Sequence, residues 1–103
     1  MQGQHSEIER RSRLLARAVV AKIDEDPERV GLSKARALCA LWCVQRPNPY
    51  LQQWRDILQG EWQEVRDWLM SDTPEARELR QNSPFCGVLS PSERWQIYRD
   101  AKN

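Results

Sequence analysis

Hydrophobic residues recur every three or four positions through most of the chain, which is the spacing of one face of an α-helix. The first such stretch predicts an amphipathic helix over residues 6–23, with arginines around its apolar stripe. The positions of this stripe are Ile8, Leu15, Ala18, Val19, Lys22 and Ile23.

A second helix is predicted over residues 27–45, although Gly31 and Ser33 weaken its first turns. The pattern is clearer from Ser33 onward. The side chains expected to face the core are Val30, Leu38, Cys39, Leu41 and Trp42.

The middle of the chain carries a tryptophan-rich stripe on both sides of Gly60. Helical phase continues across this glycine, so one kinked helix and two separate helices are both compatible with the pattern. We predict two, over residues 49–59 and from Trp62 onward, because glycine commonly ends a helix. The apolar positions are Tyr50, Trp54, Ile57, Leu58, Trp62, Val65, Trp68 and Leu69.

Four prolines mark predicted helix starts, because each follows a residue that makes a good N-cap. The pairs are Asp26-Pro27, Asn48-Pro49, Thr73-Pro74 and Ser90-Pro91. Ser90 and Glu93 have the spacing of a capping box. Two further helices follow from these signals, over residues 74–80 with Ala76 and Leu79 as anchors, and over residues 91–101 with Trp95, Ile97 and Tyr98.

These elements predict an all-α fold, a compact bundle of five or six short-to-medium helices in one domain spanning residues 1–103. The length of 103 residues suits one core, and no segment shows the alternation of a β-strand. Residues 1–5 and 102–103 are expected to fray.

The bulk properties exclude some classes of protein. The net charge of +1 gives no electrostatic reason for a polyanionic partner. An odd number of cysteines without a CxxC pair, and no apolar leader, favour the cytoplasm. No apolar run reaches the roughly 20 residues that a membrane-spanning helix needs, so no membrane association is expected.

Catalytic chemistry has little to build on in this chain. The single histidine, His5, falls in the terminus that is expected to fray, which leaves no fixed base for a nucleophile. Cys39, Cys43 and Cys86 supply at most three ligands, one short of a tetrahedral metal site. We therefore expect no enzyme activity, no metal and no cofactor.

The first helix carries several arginines that no acidic residue interrupts, including Arg10, Arg13 and Arg17. Three interpretations are open: a solvated face, a contact with a protein partner, or a contact with DNA. The DNA interpretation makes the chain a transcriptional regulator that uses its basic N-terminal helix, and it is the alternative to a protein-binding function.

Residues 83–89 form a loop that is too apolar for an ordinary connector. Its side chains either plug the base of the bundle or, together with the last helix, form a docking surface for a partner.

The same region carries a resemblance. Residues 72–99, with the sequence DTPEARELRQNSPFCGVLSPSERWQIYR, resemble the C-terminal signature of a family of small bacterial proteins. That signature consists, in order, of an acidic residue, A-R, L-R-Q, S-P-F-x-G-x-L and P-x-x-R-W-x-I. The match covers about a quarter of the chain, and the family pattern usually has alanine where Cys86 stands.

Members of that family are similar to antitoxins encoded beside a larger, nucleotidyltransferase-like toxin. The resemblance implies a non-enzymatic interaction protein of a toxin–antitoxin system that neutralises its partner by direct binding. Nucleic acid is the lesser alternative partner, and a homo-oligomer stays open. The residues expected to bind the partner are Arg80, Ser83, Pro84, Phe85, Gly87, Leu89, Arg94, Trp95 and Tyr98.

Overall fold

Six α-helices, with no strand among them, make up the computed structural model, which describes residues 3–101 and the side chains of residues 7–100. The predicted all-α bundle is confirmed. The expected fraying at Met1, Gln2, Lys102 and Asn103 lies outside the described residues. The helices are α1 (Gly3–Glu25), α2 (Val30–Gln45), α3 (Pro49–Ile57), α4 (Trp62–Met70), α5 (Pro74–Gln81) and α6 (Pro91–Ala101).

The long helix α1 is the centre of the packing, because α2, α4, α5 and α6 all contact it. It begins at Gly3, three residues before the predicted start. Val19 and Ile23 are buried as predicted, Leu15 and Ala18 are partly buried, and Ala16 and Val20 are buried beside them. Ile8 was expected on the same stripe, but it is exposed and lies about two turns before Ala16, the first buried residue.

The junction between α1 and α2 differs from the prediction. The helix α2 begins at Val30 rather than at residue 27, because Arg29 adopts the left-handed conformation, with φ 49° and ψ 50°. The Asp26 carboxylate caps the new start by accepting hydrogen bonds from the backbone N–H groups of Glu28 at 3.0 Å and Val30 at 2.8 Å. These bonds hold the pKa of Asp26 below its ordinary value, the Val30 bond having the largest effect.

The other three proline signals mark helix starts as predicted. The side chain of Asn48 accepts from the N–H of Tyr50 at 2.8 Å, and that of Thr73 from the N–H of Ala76 at 3.2 Å. At α6 the capping box is complete: the Ser90 hydroxyl accepts from Glu93 N–H at 3.1 Å, and the Glu93 carboxylate accepts from Ser90 N–H at 2.8 Å.

The helices α3 and α4 are separate, as predicted, and they share one core with the rest of the chain. Trp54 is fully buried, donates its indole N–H to the carbonyl of Leu79 at 2.7 Å and meets the Phe85 ring edge-on, with centroids 5.6 Å apart. Buried residues of α1 to α5 and of residues 83–89 join this cluster, and Ile97 of α6 packs against it. One hydrophobic core therefore contacts all six helices.

The buried face of α2 is only partly the predicted one. Cys39 is buried as predicted, and Leu38 and Trp42 are half-buried, but Val30 and Leu41 are exposed and Leu32 and Ala35 enter the core instead. Apolar side chains lie on both sides of this helix, so the sequence pattern alone does not indicate which side is buried. The contacts with α1 and α3 decide which side is covered.

Candidate functional site

Residues 83–89 serve as a plug of the core. Pro84, Phe85, Val88 and Leu89 are all buried, and this corrects the expectation that Pro84, Phe85 and Leu89 meet a partner directly. The burial of Phe85 follows from its contact with Trp54. In the middle of this segment, Cys86 and Gly87 are exposed.

A groove of about 480 Å³ lies between α1, α5, residues 83–89 and α6, and we refer to it as the α1–α6 groove. Six of the nine predicted partner-binding residues line it, so residues that are distant in sequence come together in one place. Phe85 and Leu89 contribute to its buried floor, while Arg94 and Tyr98 are half-buried. The six predicted residues that line it are Arg80, Ser83, Phe85, Leu89, Arg94 and Tyr98.

The remaining three predicted residues do not line the groove. Pro84 is in the core and Gly87 is exposed. Trp95 is exposed over 64% of its surface on α6.

Two polar contacts fasten α6 to α1. The guanidinium of Arg11 lies over the ring of Tyr98, 5.5 Å from its centroid. The ammonium group of Lys22 donates to the Glu93 carboxylate at 2.8 Å. The Lys22 bond and the capping bonds from Ser90 lower the pKa of Glu93 to about 2. These contacts fix the position of Tyr98 and Arg94 on α6 relative to α1.

Arg80 is the unusual side chain of the groove, because only 8% of its surface is exposed. It donates to the carbonyl of Ser71 through Nη1, but its Nε is buried and has no hydrogen-bond partner among the residues that the structure describes. Burial lowers the pKa of this guanidinium. The sequence signal, an arginine in an L-R-Q run, gave no indication that this charge would be buried.

The acidic groups near Arg80 are engaged by other arginines. Asp72 pairs with Arg77 at 3.4 Å and with Arg13 at 3.8 Å, and Glu9 pairs with Arg77 at 3.7 Å. Among the described side chains, no carboxylate lies within 4.0 Å of the Arg80 guanidinium. Arg13 and Arg77 therefore share these two carboxylates, and the charge of Arg80 has no directly paired carboxylate.

The basic strip of α1 is only partly free. Arg10 and Arg17 are exposed, whereas Arg13 pairs with Asp72 of the loop between α4 and α5. Arg11 is occupied by Tyr98. The structure divides the arginines of α1 among three different environments.

The cysteines of α2 have a structural environment. Cys39 and Cys43 both donate their S–H groups to the carbonyl of Leu51, at 3.4 and 3.6 Å. Burial, followed by the neighbouring Cys43, raises the pKa of Cys39 to about 11. In the described part of the chain, no group of three or more His, Cys, Asp or Glu side chains is placed to hold a metal. The side chain of His5 lies outside the described residues.

A second surface, which the sequence pattern did not reveal, lies on the outer side of α2. Val30, Leu41 and Val44 are exposed over 44%, 51% and 81% of their surfaces, and Ala37 is exposed between them. We call these four residues the α2 stripe. Their spacing of seven, four and three positions places them along one face of the helix. Val30 and Leu41 were expected in the core.

Only basic groups accompany the α2 stripe. The sequence has no acidic residue from Arg29 to Arg55. A shallow groove of about 430 Å³ between α2 and α3 is lined by Arg36 and Ala40 of α2 and by Arg55 of α3. Lys34, one turn after Val30, is exposed beside the stripe, whereas Arg36 is directed to the end of α3 and donates to the carbonyls of Leu58 and Gly60.

Comparison with known proteins finds no matching family, no matching curated protein and no matching solved structure. Within residues 3–101, no helix combines the length and apolar character needed to cross a membrane.

Proposed function

We propose that this protein is a non-enzymatic interaction protein of the cytoplasm that neutralises a protein partner by direct binding, as antitoxins do. The α2 stripe is the contact surface, and its exposure is the observation on which the proposal rests. The resemblance of residues 72–99 to antitoxin-like proteins supports the kind of partner, a nucleotidyltransferase-like toxin.

The α2 stripe has the chemistry of a protein interface. An exposed run of aliphatic side chains on a helix is typical of a surface that another protein covers. Val44 is the most exposed of these side chains and Leu41 lies one turn before it. A partner that covers both side chains would remove apolar surface from water, and this burial favours binding by roughly 25 cal/mol per Å².

The charges around the stripe select the kind of partner. Lys34 is the basic residue beside the stripe and Arg46 is the C-cap of α2, and the sequence has no acidic residue from Arg29 to Arg55. A partner helix that flanks its own apolar residues with Asp or Glu gains opposite-charge contacts. A second copy of this chain would bring basic groups against basic groups, so a different, acidic protein fits better.

The test is co-expression with the product of the neighbouring reading frame, followed by co-purification and by a growth assay for neutralisation. Leu41→Asp and Val44→Asp place negative charge on the apolar surface, and we expect the double variant to lose co-purification and neutralisation. Ala21→Asp, at an exposed position on α1, is the control and should behave as the unsubstituted protein.

A third variant separates the two candidate surfaces. Trp95→Ala removes the exposed aromatic side chain of α6 and should leave binding intact. If Trp95→Ala abolished binding while the α2 double variant retained it, the contact would belong to α6. If the neighbouring product were not retained by any form of the protein, the antitoxin assignment would be wrong.

A further inference from the structure

We infer that the α1–α6 groove is a binding site for a small amphipathic carboxylic acid, an apolar body whose carboxylate pairs with Arg80 and Arg94. This site is distinct from the α2 stripe and does not depend on the proposed function. The occupant is a small molecule with one anionic end.

The size and lining of the groove suit such a molecule. Ligand pockets of roughly 300–1,000 Å³, largely apolar with a few polar groups, are typical of small-molecule sites. The groove has a volume of about 480 Å³, and Leu15, Val19, Leu69 and Leu89 supply apolar walls. An alkyl or aromatic body would replace water against these side chains.

The unpaired donor of Arg80 indicates the polar end of the ligand. Buried polar groups nearly always have a hydrogen-bond partner, and one left without a partner costs about 1–3 kcal/mol. The Nε–H of Arg80 is buried and has no partner within the described part of the chain, although the same side chain lines the groove. A ligand acceptor that reaches this guanidinium would satisfy the donor.

Charge specifies that the acceptor is an anion. Among the described side chains that line the groove, the charged ones are Arg11, Arg80 and Arg94, and none is acidic. The nearby Glu9 and Asp72 carboxylates are shared with Arg77 and Arg13, so the positive charge of Arg80 is not neutralised by a direct pair. A carboxylate accepts hydrogen bonds from a guanidinium in a planar, charge-assisted arrangement.

The probes are decanoate, with the carboxylate and the alkyl body, and decan-1-ol, with the same body and no charge. Calorimetric titration should show decanoate binding about tenfold more tightly than decanol, the minimum expected for a charge-assisted hydrogen bond. Amide shift changes in a ¹⁵N spectrum should centre on residues 80–89, 94 and 98. Equal affinity for the two probes would overturn the assignment.

Variants of the arginines localise the carboxylate. Arg80→Lys keeps the charge but removes the Nε donor, and Arg94→Gln removes a charge at a half-exposed position that the core does not need. Each substitution should lower the affinity for decanoate about tenfold and leave the affinity for decanol unchanged. Arg17→Gln, exposed on α1 and outside the groove, is the control.

One further control distinguishes this site from general adsorption of an alkyl chain. The Leu41→Asp and Val44→Asp double variant should bind decanoate as the unsubstituted protein does, because the α2 stripe is a separate surface. Loss of decanoate binding in that variant, or an equal loss in Arg17→Gln and Arg94→Gln, would contradict a site in the groove.

Discussion

Arginine side chains have three different roles in this chain, and their surroundings decide which role each takes. Arg36 of α2 donates to the carbonyls of Leu58 at 2.8 Å and Gly60 at 3.2 Å, so it satisfies acceptors at the end of α3. Arg13 makes an exposed ion pair, which contributes little to stability. Arg80 is buried and only partly paired. The sequence shows each as a basic residue on a helix and cannot distinguish the three.

Two glycines provide a residue-scale test of the packing. A Cβ at Gly31 would lie 2.9 Å from Cγ1 of Ile23 and 3.1 Å from Cγ1 of Val88, both in buried side chains. Gly31→Ala should therefore lower the free energy of unfolding by about 1–2 kcal/mol, because overpacking exceeds the gain in helix propensity.

The matched control is Gly87→Ala, because no atom of the described residues lies within 4 Å of a Cβ at Gly87 and its φ is not positive. We expect a change of no more than about 0.5 kcal/mol. Urea denaturation of both variants measures the difference. A neutral Gly31→Ala would show that α1, α2 and residues 83–89 approach less closely than described.

The elements were predictable where a local signal and the tertiary packing agree. The capping box at Ser90 and the apolar spacing of Trp62, Val65 and Leu69 each identify a helix, and the structure confirms both. The predicted start of α2 was wrong because no local sequence signal, such as a glycine, indicates the left-handed conformation of Arg29. Its side chain is held there by the Ile23 carbonyl at 3.2 Å and the Trp62 ring at 5.8 Å.

The capping box of α6 should make the thermal stability of the protein depend on pH in the acidic range. The pKa of Glu93 is lowered from 4.5 to about 2, so its stabilising contribution is complete above pH 4.5 and disappears as the pH falls through 2. Glu93→Gln should therefore show a smaller loss of thermal stability between pH 5 and about pH 2 than the unsubstituted protein.

Glu25→Gln is the comparison, because Glu25 is exposed at the end of α1. It should keep the acid dependence of the unsubstituted protein. Melting temperatures by circular dichroism across this range measure the effect. Identical acid profiles for Glu93→Gln and the unsubstituted protein would show that Lys22 and Ser90 do not hold the carboxylate in solution.

At the scale of the whole molecule, the sequence predicts that a core exists but not which surfaces remain uncovered. The buried Trp54, Trp62 and Leu79 follow from helical periodicity. The α2 stripe does not, because which side of an apolar helix meets solvent depends on neighbours distant in sequence. Six of the nine predicted site residues meet in one groove, but the burial of Arg80 and Phe85 becomes visible only once the chain is folded.

A single core that contacts all six helices predicts one cooperative unfolding transition. Phe85→Ala should destabilise the whole chain by about 3–5 kcal/mol, since it leaves a cavity beside Trp54. Leu41→Ala, on the exposed side of α2, should change stability by about 0.5 kcal/mol or less.

Urea titrations followed by tryptophan fluorescence and by far-ultraviolet circular dichroism should coincide for all three proteins. Separate transitions would mean that α6 unfolds independently of the rest. A Phe85→Ala variant as stable as the unsubstituted chain would contradict the role of residues 83–89 as a plug of the core.

The exposed thiol at the edge of the α1–α6 groove is an attachment point for disulfide tethering. Cys86 is exposed and lines the groove, whereas Cys39 is buried with a pKa of about 11 and Cys43 is half-buried. Because the thiolate is the reactive form, disulfide-capped fragments will exchange first at Cys86. Mass spectrometry after mild reduction would then rank the fragments that noncovalent contacts retain.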